Sequence, residues 1–124
     1  MRQEDKELLL KDLCARLPYG VKIQVPYEDG SGYFDETVWE VNNEGPFYVN
    51  GWGIEYEYVK PYLFPLSSMT EEQKKEYQYI TERWMYDSSY SISDSTDWLN
   101  KNHFDYRGLI EKGLAIDATG LNIY

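Results

Sequence analysis

Eight carboxylates stand between Ile23 and Val59 with no Lys or Arg among them: Glu28, Asp29, Asp35, Glu36, Glu40, Glu44, Glu55 and Glu57. The whole chain holds 22 acids and 12 bases, a net charge of -10, so this one segment carries most of the imbalance. Nine aromatic side chains share the segment. An acidic, aromatic surface of this kind repels nucleic-acid phosphates and anionic membranes and attracts cationic surfaces. Direct nucleic-acid and membrane partners are therefore not expected, and a basic protein surface is. Lys74, Lys75 and Arg83 form no basic stripe, because they are interspersed with Glu71, Glu72, Glu76 and Glu82.

Carboxylates can also work in pairs as acid and base, or hold a hard cation. Neither Glu28-Asp29-Gly30 nor the stretch from Asp87 to Asp97 has the spacing of a calcium loop. The chain has one histidine, His103, and one cysteine, Cys14. A hydrolase would have to run through His103, with Asp105 as its partner. In Asn102-His103-Phe104-Asp105 the imidazole reads instead as a capping or packing group. A zinc site wants several N or S ligands, and a single His and a single Cys do not supply them. No glycine loop suits a phosphate, since Gly51 and Gly53 bracket Trp52. No cofactor, metal site or catalytic residue is expected, and the reading is non-enzymatic.

The elements that must hold these residues follow from periodicity. Leu9, Leu10, Leu13, Cys14 and Leu17 recur at three- and four-residue spacing, which predicts a helix from Glu4 to Arg16 with Cys14 in the core. Pro18-Tyr19-Gly20 ends it. Val21 to Val25 alternates as a strand, with Lys22 and Gln24 outward. Glu28 to Gly32 is a turn, and Tyr33 to Asn42 a second strand with Glu36, Val38 and Glu40 facing away from Thr37, Trp39 and Val41. Asn50-Gly51 predicts a type I′ hairpin pairing Val49 with Trp52, Tyr48 with Gly53 and Phe47 with Ile54. Its core side would carry Phe47, Val49, Trp52, Ile54, Tyr56 and Tyr58. If the strand of Trp39 joins it as a meander, Glu36, Glu40, Glu55 and Glu57 converge on one solvent face, with Tyr48 beside them. Those five residues are the candidate partner-binding site.

Lys60 to Pro65 carries two prolines and reads as a constrained connection leaving the sheet. Thr70-Glu71-Glu72-Gln73 is a capping box, opening a helix to about Tyr86 with Tyr77, Ile80, Thr81 and Trp84 on one face. Asp87 to Ser95 reads as a loop. Asp94 or Ser95 can cap a short helix holding Trp98 and Leu99, and Asp105 another that ends at Gly113. Leu114 to Ile116 suits an edge strand, and the tail should be loose. The expectation is one α+β domain: an N-terminal helix, a small antiparallel sheet that an SH3-like barrel would close, and C-terminal helices. At 124 residues such a domain buries a core without disulfides. Leu8-Leu9-Leu10, flanked by Lys6 and Lys11, is too short for a signal peptide, and nothing approaches the roughly 20 apolar residues of a membrane span. A cytoplasmic setting is the expectation.

Three segments carry a resemblance: Leu10 to Lys22 (LKDLCARLPYGVK), Lys60 to Glu72 (KPYLFPLSSMTEE) and Trp98 to Ile110 (WLNKNHFDYRGLI). Together they resemble a group of small proteins of prophages and mobile elements of gut Bacteroidales. The likeness covers both ends and leaves Tyr27 to Val59 largely outside. It implies a phage or mobile-element accessory protein in a bacterial cytosol, and brings no activity or catalytic residues with it. In that setting the acidic sheet face is expected to engage a basic surface of a host protein, in its sharpest form as an inhibitor or DNA mimic acting on a nucleic-acid-binding or defence enzyme. The alternatives are a small-molecule or nucleotide-binding module using Trp and Tyr around the sheet, an oligomeric structural protein, or acids that only keep the sheet solvated.

Overall fold

The computed structural model of the protein describes residues 2–27, 29–42, 48–53, 59–83, 85–86 and 92–124. Helix α1 (Gln3–Arg16) runs into a single 3-10 turn at Leu17–Tyr19. Gly20 stops it in the left-handed region at φ 67, where a residue with a Cβ would be strained. Strands β1 (Lys22–Pro26) and β2 (Tyr33–Thr37) form an antiparallel hairpin. Short strands β3 (Val41–Asn42), β4 (Tyr48–Val49) and β5 (Trp52–Gly53) follow as an antiparallel meander. Next come β6 (Lys60–Pro65), α2 (Glu71–Arg83) and α3 (Ile92–Lys101), then β7 (Phe104–Asp105) and β8 (Ile116–Asp117).

The fold is α+β, and its larger sheet is mixed rather than antiparallel. Its order is β2-β1-β6-β7, with β8 also paired to β6, and the meander is a separate three-stranded sheet. No pairing among the described residues closes either sheet into a barrel. Strand β6 lies antiparallel to β1 but parallel to both β7 and β8. Lys60 to Pro65 is thus a central strand and not a connection. The bonds asked of it explain why two prolines are tolerated. Phe64 donates its N–H to the His103 carbonyl (2.8 Å), and the Leu63 carbonyl accepts from Ala118 N–H (2.8 Å). Neither needs a donor at Pro61 or Pro65.

The main core joins Leu9, Leu10 and Leu13 of α1 to Val21, Ile23 and Val25, then to Val38, Val49, Val59 and Leu63. A second cluster packs Trp98, Leu99 and Phe104 against Tyr77 and Ile80 of α2. The helix caps follow the sequence. Thr70 N–H donates to Gln73 Oε1 (2.9 Å) and Gln73 N–H to Thr70 Oγ1 (3.1 Å), a reciprocal capping box. Helix α3 begins earlier than expected and places Asp94 and Ser95 inside it. Asp105 does cap backbone, accepting Leu109 N–H and Ile110 N–H at 2.9 Å each, but the chain there makes successive turns and no helix. The expectations for Trp84 and for 87–91 fall outside the described residues.

The face of α1 departs from its hydropathy. Cys14, expected inside, is exposed. Asp12 and Arg16, one helical turn apart, are fully buried instead. Arg16 Nε donates to Asp12 Oδ2 (2.8 Å) and Nη2 to Asp12 Oδ1 (3.1 Å), while Nη2 also reaches the Phe104 carbonyl. Arg107 Nε lies 3.3 Å from Asp12 Oδ1, an ion pair not aligned as a hydrogen bond. Both guanidinium groups sit over the Tyr106 ring, 5.4 and 4.7 Å from its centroid. Burial pushes the Asp12 carboxyl upward, with Arg16 pulling the other way. Removing one partner leaves an uncompensated buried charge, so Asp12→Ala is expected to lower the urea unfolding free energy by about 3–5 kcal/mol. Cys14→Ser on the exposed side of the same turn should change it by less than ~0.5 kcal/mol.

Candidate functional site

The hairpin and meander behave as the Asn50-Gly51 signal requires. Asn50 and Gly51 both take positive φ, at 52 and 82, and Val49 pairs with Trp52 and Tyr48 with Gly53. What the sequence does not announce is the work of the Asn50 side chain. Its Oδ1 accepts the N–H of Trp39 (2.9 Å) and of Glu40 (3.1 Å), and its Nδ2 donates to the Thr37 carbonyl (2.9 Å). Asn50 N–H also donates to the Glu40 carbonyl (2.9 Å). One turn residue therefore fixes the backbone of the linker between the two sheets.

That linker corrects the expected long strand. β2 ends at Thr37, and Val38 turns inward to the core at 3% exposure, its N–H bonded to the Val21 carbonyl (2.8 Å). Trp39, expected on the core side, is 67% exposed instead. Tyr27 and Tyr33 at the hairpin tip are exposed as well, Tyr33 at 63%.

The five candidate residues do not form one described cluster. Glu40 is exposed in the Asn50-held linker. Glu36 lies on β2, opposite buried Ile23, on the inward side shared with half-buried Phe34. The two are thus separated by the break at Val38 rather than aligned on a single strand face. The Tyr48 backbone pairs with Asn42 and Gly53. Glu55 and Glu57, like Phe47, Ile54, Tyr56 and Tyr58 of the expected hairpin face, lie outside the described residues. Asp35, not singled out in the sequence, sits on the outer sheet face and accepts the Tyr62 hydroxyl proton. Gln24 Nε2 donates to that same hydroxyl at 3.0 Å. Burial and the Asp35 carboxylate push the Tyr62 phenol up to about 12, so it stays a donor. As the end strand of its sheet, β2 carries Asp35 and Glu36, charges of the kind that discourage edge-to-edge pairing.

Among the described residues no three His, Cys, Asp or Glu side chains gather as a metal site, and no helix is long and apolar enough to cross a membrane. His103 sits between α3 and β7 at 8% exposure and φ 60, a left-handed stop for the helix. Its ring stacks on Tyr124, centroids 3.9 Å apart and 13° between planes. Asp105 accepts two backbone N–H groups, one on each carboxylate oxygen. The tail, expected loose, is tied down: Tyr124 accepts Lys22 N–H and donates to the Tyr62 carbonyl, both at 2.8 Å.

Burial, with the Arg16 charge adding to it, lowers the His103 pKa to about 4 from the ordinary 6.5. A base with a depressed folded pKa contributes full stability above the unfolded value and loses it as pH falls toward the folded one. Unfolding free energy should therefore drop between pH 6.5 and 4 by on the order of 2–3 kcal/mol from this group. Denaturation of His103→Asn across the same window should show a correspondingly shallower fall. For the linker, Asn50→Gly keeps the left-handed turn but removes the clamp. Hydrogen exchange at the Trp39 and Glu40 amides should speed up while global stability falls by about 1 kcal/mol.

Comparison with protein-family models, with curated proteins and with solved structures gives no match for this chain.

Proposed function

We infer that the protein is a non-enzymatic binding protein whose acidic, aromatic surface engages a basic surface of a host protein. In its sharpest form it is a phage or mobile-element inhibitor that occupies the nucleic-acid site of a host enzyme. The observation that carries the reading is Trp39, exposed at 67% on backbone held by Asn50 and flanked by Glu40 in a segment without bases. Tryptophans in such settings are frequent binding hot spots, because they desolvate a large area at little entropic cost. The surrounding carboxylates supply complementarity to a cationic partner and speed the encounter.

Lys22, the base just before the segment, is engaged with the Ile123 carbonyl at 2.8 Å. Asp35 is satisfied by a neutral phenol rather than by a cation. Glu36 is half-buried on the core side of β2, so its reversal would test the fold more than the surface. Trp39 and Glu40 are the cleaner probes.

The test is affinity capture of the tagged protein from host lysate at low and high salt, repeated with Trp39→Ala and with the reversal Glu40→Lys, Glu55→Lys, Glu57→Lys. A single stoichiometric partner is expected at low salt and should be lost at high salt. Trp39→Ala should weaken that partner by at least about 10-fold, with thermal stability kept. The reversal should remove it. A partner retained equally by both variants would overturn the assignment of this surface.

A further inference from the structure

A cleft of about 510 Å³ opens between the start of α2, the end of α3 and the C-terminal segment. Its wall includes the rings of Phe64, His103 and Tyr124 together with Gln73 and Lys101. In a chain of 22 acids no Asp or Glu is among the described residues that line it, and none of those residues belongs to the acidic segment. Lys101 is exposed and makes no ion pair among the described residues. The cleft thus sets one lysine among aromatic rings on a strongly anionic protein.

Two of its polar side chains have hydrogen-bonding capacity left. Gln73 uses Oε1 on Thr70 N–H, which leaves its Nε2 to donate. His103 is buried and its Nδ1 has no hydrogen-bond partner, although buried polar atoms nearly always find one. The wall is also stiff. Tyr124, stacked on His103, is pinned through its hydroxyl to Lys22 and Tyr62, and Phe64 stands 5.9 Å from the Tyr124 ring. Held rings beside a few placed polar groups suit a small planar ligand.

We propose that this cleft binds a small planar monoanion, a carboxylate carried on an aromatic ring. Lys101 and Gln73 Nε2 take the carboxylate, and Phe64 and Tyr124 take the ring. One lysine matches one negative charge. A triphosphate would bring several into a molecule of net charge -10, with no arginine fork in the wall to hold them. The site is separate from Trp39 and does not rest on the host-protein reading.

The experiment is an amide chemical-shift titration of the full chain with benzoate, 4-hydroxybenzoate and indole-3-carboxylate at millimolar concentrations. Benzamide and inorganic phosphate serve as the uncharged and the ring-free controls. At least one aromatic carboxylate should give saturable shifts confined to residues 64–73, 101–104 and 118–124. Its affinity should fall about 10-fold or more in Lys101→Ala, whose thermal stability should match the parent, and benzamide should bind at least 10-fold more weakly. The proposal is overturned by an absence of saturable shifts with all three acids. It is equally overturned by unchanged affinity in Lys101→Ala, or by phosphate binding as tightly as the acids. Capture of a Trp39-dependent protein partner should be the same in Lys101→Ala and parent, so this site and the acidic surface fail or stand independently.

Discussion

Arg16 heads the fully buried side chains by size among the described residues, and the arrangement of both ends of the chain depends on it. Its guanidinium is held by Asp12 within α1 and by the Phe104 carbonyl, 88 residues away in sequence. Moving a charge out of water costs several kcal/mol even after relaxation, and only matched opposite charge and hydrogen bonds offset that. Here Asp12 supplies the charge, Arg107 the second cation, and Tyr106 a ring for both guanidiniums. The Tyr106 hydroxyl in turn donates to Asn100 of α3 (2.8 Å). A shift of α1 by one residue would turn Asp12 and Arg16 away from these partners and strand Arg107. The ion pair therefore sets the rotation of α1 against the C-terminal half, which apolar packing alone specifies less sharply.

Sequence patterns reveal the elements whose signals are local. Alternation in Val21 to Val25, the 3–4 spacing of the leucines in α1, the Asn50-Gly51 turn and the Thr70-to-Gln73 box all act within a few residues, and each is present as read. What hydropathy conceals is Asp12 and Arg16. It ranks both as surface residues and Cys14 as core, and the assignment is the reverse. The one available signal was their i,i+4 opposite-charge spacing, which on most helices marks a solvent-facing pair. Strand β6 was hidden by its prolines, because which N–H a strand must offer depends on its neighbours. Those neighbours, β7 and β8, are two residues each and too short to carry a period.

The candidate surface was legible in charge but not in shape. A count of acids finds the segment from Ile23 to Val59, yet it cannot tell that Val38 dips into the core and breaks the strand. That single inward residue turns Trp39 outward and separates Glu36 from Glu40. Composition is blind to it because Val38 and Trp39 are both apolar, and either could have been the buried one. Deciding between them requires knowing that Asn50 captures the Trp39 and Glu40 amides, a contact across ten residues or more.

Asn50 and His103 are both non-glycine residues held at positive φ, where a side chain costs roughly 1–2 kcal/mol per residue. At Asn50 the compensation is visible in full, since three side-chain hydrogen bonds would vanish with glycine. At His103 it is not. The backbone duties there, a carbonyl accepting from Phe64 and an N–H donating to Asn100, could be met by glycine without strain. The imidazole adds burial with an unpartnered Nδ1, and in return makes the stack on Tyr124. Local strain and an unmet polar atom at one position are the signature of a site kept for something other than stability. His103 lies in the wall of the same cleft as Lys101, so the residue whose conformation stability explains least sits beside the proposed anion contact.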